Sequence, residues 1–344
     1  MTDKRAARPR FSLGSLRKVE FFAVAALVGF VAIVVALSLY AGLDQVLGHV
    51  RAVGLRVLLL MLGLSLVNYM LRAWRWQLFA NGLGVRVPWA RNLLYFVAGF
   101  ALTATPGKAG EGMRLWLLER CHGYAYERTT PMFVGDRLSD MAGILLLCLA
   151  GVGAFTAYAG LTVVAAALLL LLCLPLMRPR ILLWATNLLF GLFGRRAPRL
   201  FARIRAAIRD TARLFTFRLF GLGLVAALIG WFAEAMAFHQ LLVQLGAAVT
   251  VQQAMFVFTF AMIAGTVAML PGGLGGTEAV MLALLSALGV DFQVAVTATA
   301  LIRLTTLWFA VGLGFLALPF TLRLARRGRT GSDGLKPAAL GQPR

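Results

Sequence analysis

Four charge-free stretches of the chain are long enough, or nearly long enough, to cross a lipid bilayer. They cover residues 21–43, 141–177, 235–277 and 304–322, and the two longest would each cross twice. One crossing takes about 20 apolar residues in a helix. Only 14% of the residues are charged, against about a quarter in soluble domains. These stretches therefore predict an all-α integral membrane protein.

Six stretches are predicted to cross the membrane completely, and two others are predicted to form re-entrant helical hairpins. The hairpins lie at 92–122 and 251–288, and each is interrupted by a Pro-Gly-rich element. Such broken backbone is tolerated at membrane depth only where protein or water covers it. The predicted membrane domain covers 20–320. Its full crossings are 21–43, 57–79, 128–158, 161–177, 219–243 and 295–318.

The basic residues cluster beside the apolar stretches and set the predicted orientation. A formal charge of +21 would suit nucleic acid, but the sequence has no separable basic domain, so no nucleic-acid partner is predicted. The positive-inside rule places the tails, 1–19 and 321–344, in the cytoplasm. Arginines spaced three or four apart in 178–218 predict an amphipathic linker helix on the inner leaflet, with anionic lipids as its partners. Arg51 and Arg56, in the first outer loop, are exceptions to this pattern.

The two halves of the chain carry the same ordered motif. Pro106-Gly107-x-x-Gly110 lies in the first half and Pro271-Gly272-x-x-Gly275 in the second, and Arg137 and Arg303 follow them at nearly equal spacing. The first hairpin would enter from inside and the second from outside, which is the arrangement of an inverted repeat. The alternative is that the Pro-Gly elements are kinks between ordinary spans. The predicted repeats cover about 57–158 and about 219–318.

Helices that begin inside a membrane offer a binding site for anions. About four backbone N–H groups at such an end lack partners, and the helix dipole adds partial positive charge. Glycines at 107–112 and 272–277 would let a lipid phosphate approach these N–H groups. Lys108 would either add a full positive charge or pair with Glu111, and the sequence leaves both open.

Ionised residues in and beside the apolar stretches are further candidates, because a charge at the bilayer centre costs on the order of 3 kcal/mol or more. Glu234 and Arg303 are predicted to pair with each other. Arg137 either pairs with Asp140, three residues on, or binds a substrate headgroup. Glu278 is expected to cap its helix. The complete predicted binding site is Pro106, Gly107, Lys108, Gly110, Glu111, Arg114, Arg137, Asp140, Glu234, Pro271, Gly272, Gly273, Gly275, Glu278 and Arg303.

The cysteines and histidines give no sign of metal or cofactor chemistry. Cys121, Cys148 and Cys173 lack the paired spacing of metal ligands, so no metal site, cofactor or disulfide is predicted. His239 could exchange protons with Glu234, five residues earlier, but a single membrane histidine more often only hydrogen-bonds a neighbouring helix. Both interpretations stay open.

Four segments together resemble the lysylphosphatidylglycerol synthase transmembrane (flippase-like) family. They are LRAWRWQ at 71–77, TPGKAGEGMR at 105–114, GDRLSD at 135–140 and LPGGLGGTE at 270–278. The resemblance covers about 57–318 and implies movement of a lipid between the leaflets of a bacterial cytoplasmic membrane. Aminoacylating members carry a soluble synthase domain after the membrane part. Because this sequence ends soon after the last predicted span, we expect a standalone membrane domain without that chemistry.

The expected function is therefore translocation of a polar or anionic membrane lipid, without enzymatic activity. An intramembrane lipid-modifying transferase is one alternative, but it would need clustered acids or a His-acid pair for proton transfer or metal-bound phosphate. The sequence has three histidines and no repeated Asp-x-x-Asp motif. A noncatalytic scaffold for envelope assembly is the third possibility. The oligomeric state is not specified by the sequence.

Overall fold

The described part of the chain is helical and contains no β-strand, which confirms the predicted all-α class. The computed structural model describes residues 42–103, 105, 109–154, 216–268 and 271–332, with most of 24–40 and isolated positions in 160–167. Several predicted features lie wholly or almost wholly outside these residues. They are the 1–19 tail, the 161–177 crossing, the 178–218 linker and the end of the 321–344 tail.

The described helices are numbered here in chain order. Short 3₁₀ turns lie at Gly99–Leu102 and at Pro271–Gly273. The helices are α1 Leu27–Tyr40, α2 Leu43–Ala52, α3 Gly54–Gly82, α4 Trp89–Ala98, α5 Ala109–His122, α6 Tyr126–Gly151, α7 Phe217–Gln244, α8 Val251–Val267, α9 Gly276–Ala287, α10 Phe292–Arg303 and α11 Phe309–Ser332.

Three of the described helical segments are long and apolar enough to cross a membrane. They are Gly54–Gly82, Arg218–Gln244 and Phe292–Ala325, the last of which combines α10 with most of α11. These confirm the predicted crossings at 57–79, 219–243 and 295–318. Helices α1 and α2 reach the same length only together, and they meet at a bend of 110°. The count of six crossings stays a prediction.

Helix α6 has the length of a crossing but a charged middle. Its 26 residues would extend about 39 Å at 1.5 Å per residue, which exceeds the roughly 30 Å of a bilayer core. Asp136, Arg137 and Asp140 interrupt its apolar sequence. All three side chains face neighbouring helices of the protein. The charges of this helix are therefore paired with other residues of the protein.

At both positions where a re-entrant hairpin is predicted, the structure has a pair of short helices that pack against each other, and each pair is called a hairpin below. In the first, α4 and its 3₁₀ turn pack against α5. In the second, α8 packs against α9. A Cβ built on Gly110 would overlap the Gly99 carbonyl group, and one on Gly265 would overlap the Thr277 hydroxyl group. In each hairpin, one glycine therefore allows the two limbs to touch. Entry of the hairpins from opposite sides of a membrane stays a prediction.

The break in the second hairpin depends on glycine. Gly272, Gly273 and Gly275 all have positive φ, at 62°, 71° and 84°, a region that other L-residues rarely adopt. This turn directly precedes α9, which starts at Gly276. The predicted interruption of the helix is confirmed here. The corresponding Pro106, Gly107 and Lys108 of the first hairpin lie outside the described residues.

Two large apolar clusters, one around each hairpin, form most of the described core, and two smaller clusters accompany them. The first joins α3, α4, α5 and α11, with Trp76, Phe79 and Phe96 fully buried. The second joins α7, α8, α9 and α10, with Phe238 and Phe256 fully buried. On the outside, large apolar side chains are exposed along the three apolar crossings. An apolar exterior of this kind matches a lipid environment.

The last two helices connect the hairpins through a five-residue π-helical turn. This turn, Leu304–Trp308, lies between α10 and α11. Before it, Arg303 contacts the second hairpin. After it, Gly314 lies so close to the backbone of Ala101, in the first hairpin, that a Cβ would overlap it. A π-turn inserts an extra residue into a helix and changes which face follows, so one rod contacts both hairpins.

Candidate functional site

A cavity of about 500 Å³ lies between the two hairpins and the helices α3, α6 and α7. This volume is within the range of small-molecule sites, about 300–1,000 Å³. Both hairpins contribute to its lining. Nine predicted site residues line it: Gly110, Glu111, Arg114, Arg137, Asp140, Glu234, Gly272, Gly273 and Arg303.

The remaining predicted site residues fall into two groups. Pro106, Gly107 and Lys108 lie outside the described residues, so the choice between a free Lys108 and a pair with Glu111 stays open. Pro271, Gly275 and Glu278 belong to the second hairpin but are not among the residues that line the cavity.

A network of charged residues from α3 and α6 lies beside the cavity, and its members Arg72 and Asp140 line the cavity itself. The guanidinium group of Arg75 donates hydrogen bonds to Asp136 at 2.8 and 2.5 Å and to Asp140 at 2.7 Å. Arg72 donates to the second oxygen of Asp140 at 2.9 Å and lies over the Trp231 ring, 5.8 Å from its centroid. These bonds offset the cost of burying the charges. The network therefore stabilises the packing of α3 against α6.

The location of Arg75 corrects the sequence interpretation of this segment. From sequence alone, arginines and tryptophans close together near the end of an apolar span, as at 72–76, predict side chains that lie at the membrane interface. Instead, Arg75 is completely buried in the protein. Only Trp74 is exposed, whereas Trp76 is buried and donates to Asn92. The two aspartates on α6 explain the difference, because they give the arginine buried partners.

Arg137 connects the first hairpin to α6. Its guanidinium group lies 3.0 Å from Glu111, at the start of α5, and 3.5 Å from both Asp136 and Asp140. The predicted pair with Asp140 is present, but the shortest ion pair joins two different helices. About a quarter of the Arg137 side chain is exposed, at 24%. It therefore remains accessible from the cavity.

Arg114 lies against aromatic rings and at a distance from carboxylates. Its guanidinium carbon is 3.7 Å from the centroid of the Phe96 ring, with Trp76 and Phe100 also close. Among the described residues, its ion pair is with Asp136 at 3.9 Å. A desolvated cation–π contact is worth about 2 kcal/mol. The rings therefore hold Arg114 in place while its charge is only weakly neutralised.

In the second hairpin, Arg303 joins α10 to the glycine-rich turn. It donates to Glu278 at 2.6 Å and to the backbone carbonyl of Gly272 at 2.6 Å. Glu278 also accepts from the backbone N–H of Gly275 at 2.7 Å, which confirms the predicted cap. The predicted pair between Arg303 and Glu234 is wrong as a direct contact, because Glu278 lies closer in space and occupies the arginine.

Glu234 has an amide as its hydrogen-bond partner. The side chain of Asn68 donates to it at 2.7 Å, and both residues are buried. His239 lies on the same helix, and no hydrogen bond joins it to Glu234 among the described residues. The structure therefore gives no support to a direct proton exchange between them.

Sequence reasoning missed several residues of the site. Asn68 and Tyr69 lie on α3 beside Arg72, and the Tyr69 hydroxyl donates to the backbone carbonyl of Thr306 in the π-turn. The available signal was the occurrence of polar residues inside an apolar stretch, as at Asn68. In the described part of the chain, no group of three or more His, Cys, Asp or Glu side chains is arranged to hold a metal ion.

Apolar crossings that enclose a charged cavity define the class, a multi-pass helical membrane protein with a polar internal site. The chain belongs to the family described as the lysylphosphatidylglycerol synthase TM region, which matches residues 22–314. A UPF0104 membrane protein of Pyrococcus horikoshii is 24% identical over 310 residues, 83% of this chain and 92% of the relative. A UPF0104 membrane protein of Methanothermobacter thermautotrophicus is 22% identical over 321 residues, 87% of this chain and 95% of the relative.

Proposed function

We propose that the protein moves a polar or anionic lipid between the leaflets of the cytoplasmic membrane, in the manner of a flippase. The observation that carries this proposal is the cavity shared by both hairpins. Four arginines line it, Arg72, Arg114, Arg137 and Arg303, inside an assembly whose exterior is apolar. Charged groups at membrane depth are costly and usually serve a polar substrate or ion path. Membership of a family named for a lipid synthase supports a lipid as that substrate.

The charges of the cavity suit a lipid headgroup with a phosphate. Arginine presents several donors in a planar fork that matches phosphate oxygens. Arg114 is only weakly neutralised, and Arg137 is partly exposed. The carboxylates of Glu111 and Asp140 line the same cavity and would accept from hydroxyl or amine groups of the headgroup. The acyl chains would remain in the bilayer.

Alternating access of the cavity would carry the headgroup across. The hairpins would enter from opposite sides, the first from the cytoplasm and the second from outside, in the way of inverted-repeat transporters. Both termini would lie in the cytoplasm. The basic linker at 178–218 would lie on anionic lipids of the inner leaflet. The cycle requires no bond to be made or broken in the lipid, so we propose a transporter and not an enzyme.

Leaflet exchange in liposomes tests the proposal directly. The purified protein is reconstituted in liposomes that contain phosphatidylglycerol with a fluorescent tail, and a membrane-impermeant quencher reports the outer fraction. We expect exchange above that of protein-free liposomes. The variant Arg137→Gln should lower the rate, whereas Arg91→Gln, an exposed arginine that does not line the cavity, should not.

Parallel measurements separate the alternatives. Phosphatidylcholine, hopanoid and polyprenyl lipids are assayed in the same liposomes to identify the headgroup class. Chemical conversion of the lipid without leaflet exchange would support a transferase. Neither exchange nor conversion for any of these lipids would contradict transport and support a scaffold.

A further inference from the structure

Glu234 differs from the other acids of the site in its partner. Glu111, Asp136, Asp140 and Glu278 each have an arginine at 3.0 Å or less. No arginine or lysine of the described residues lies within 4 Å of Glu234, whose hydrogen bond comes from the neutral amide of Asn68. An ionised carboxylate without a cation is costly in an apolar interior. This site is therefore built around a neutral partner.

Titratable and charged groups face Glu234 from three of the helices around it. On α3 these are Tyr69 and Arg72, on α6 Asp140, and on α10 Arg303. Helix α8 carries no titratable residue. Arg72 is bound to Asp140, and Arg303 is bound to Glu278. The two nearby cations are therefore already engaged by other acids.

The amide of Asn68 has a free acceptor. Its nitrogen donates to Glu234, while its oxygen is buried and has no hydrogen-bond donor among the described residues. A buried acceptor without a donor costs about 1–3 kcal/mol. A protonated carboxyl group has an O–H donor, which a carboxylate lacks. Protonation of Glu234 would thus supply the kind of group that the amide oxygen needs.

We propose that Glu234 and Asn68 form a proton-binding site that couples lipid movement to a proton gradient. This inference rests on the proposed function. Because Glu234 lines the cavity, it is reached from whichever side the cavity opens to. One proton binds the carboxylate when the cavity is open to the acidic side. The same proton leaves when the cavity opens to the other side, so each cycle takes up and releases one proton. No other reactant is needed.

Infrared difference spectroscopy tests the site without reference to transport. The reconstituted protein is titrated with acid, and the carbonyl stretch of a protonated carboxylic acid is recorded. We expect a band that is absent in Glu234→Gln, shifted in Glu234→Asp and unchanged in Asp291→Asn, an exposed acid outside the cavity. The aspartate variant keeps the assignment testable if the glutamine variant fails to fold. A band that survives unchanged in all three variants would overturn the proposal.

A second measurement tests coupling. Liposomes that contain fluorescent phosphatidylglycerol are given a gradient of about one pH unit, which corresponds to about a tenfold bias for one proton. We expect the labelled lipid to approach a tenfold leaflet asymmetry with wild type and with Asp291→Asn. With Glu234→Gln, or with a protonophore, the leaflets should equalise. Equalised leaflets with wild type under the gradient would overturn the coupling.

The two measurements distinguish the failure of this inference from that of the proposed function. A band assigned to Glu234 without lipid exchange at any pH would contradict the proposed lipid transport but support the proton-binding site. Lipid exchange that does not depend on the pH gradient, together with no band assigned to Glu234, would contradict the proton-binding site but support lipid transport.

Discussion

The two hairpins are held by the same kind of ion pair, but with different degrees of enclosure. In the first, Arg137 of α6 binds Glu111 at 3.0 Å, and the side chains are 24% and 15% exposed. In the second, Arg303 of α10 binds Glu278 at 2.6 Å, and they are 4% and 5% exposed. The second arginine also binds a turn carbonyl. The second pair therefore fixes a backbone turn, whereas the first leaves charge accessible to a ligand.

This difference shows that a charged residue at a repeated position need not have a repeated role. Arg137 shares its charge among three acids at 3.0–3.5 Å, and none of these contacts is as short as the Arg303 pair. A cation that is loosely shared among several acids could bind a substrate phosphate in their place at low cost in free energy. An enclosed ion pair can be separated only at the full cost of leaving each buried charge without its partner. The comparison therefore favours a structural role for the second ion pair and, in the proposed transport, a headgroup-binding role for Arg137 of the first.

Replacement of the enclosed arginine should give the largest effect. Arg303→Ala leaves the carboxylate of Glu278 buried and unpaired, and such a change costs about 3–5 kcal/mol. We expect a loss of this size in the free energy of unfolding, measured by denaturant titration in detergent micelles. The double variant Arg303→Ala with Glu278→Ala should recover part of it. A loss below about 1 kcal/mol would show that the pair does not stabilise the turn.

A larger residue at the contact between the two helices of the first hairpin should have an intermediate effect on stability. The Cβ of Gly110→Ala would overlap the Gly99 carbonyl group, and overpacking of this kind costs about 1–3 kcal/mol. Gly112→Ala, two residues on in the same helix, has open space around its Cβ. It should be neutral or slightly stabilising, because alanine favours helix. Equal thermal stability of the two variants would contradict the close packing of the limbs.

The accessible arginine should give the smallest change in stability but a clear change in transport. Arg137→Gln removes a partly exposed pair, so the unfolding free energy should fall by no more than about 1 kcal/mol. Loss of one charged contact to the headgroup should lower the rate of leaflet exchange about tenfold, the equivalent of about 1.4 kcal/mol. If the stability loss equals that of Arg303→Ala, the proposed division between the hairpins is wrong.

The general architecture and much of the site could be predicted from sequence. Apolar stretches predicted three crossings at positions where the structure has helices long and apolar enough to span a membrane. Arg137, Glu234 and Arg303 were recognised as site residues because charges stand out in an apolar stretch. Glu278 was expected to act as a cap because it lies at the predicted start of its helix. These inferences needed only local sequence and the cost of charge in hydrocarbon.

The pairing of the charges could not be predicted in the same way. Arg75 meets Asp136, which is 61 residues away in sequence, and Glu234 meets Asn68 across 166 residues. Such contacts depend on the rotation of one helix against another. A single sequence gives the apolar face of a helix but not its register against a distant partner. The location of Arg75 between two tryptophans therefore favoured the interface, although it is buried.

The rod formed by α10, the π-turn and α11 limits how the hairpins can move. It binds the second hairpin through Arg303 and packs directly against the backbone of the first hairpin at Gly314. The wide turn between these two points is the place where helical hydrogen bonding is already altered. If one hairpin is displaced, the other must therefore move with it, or the helical turn at Leu304–Trp308 must change its conformation.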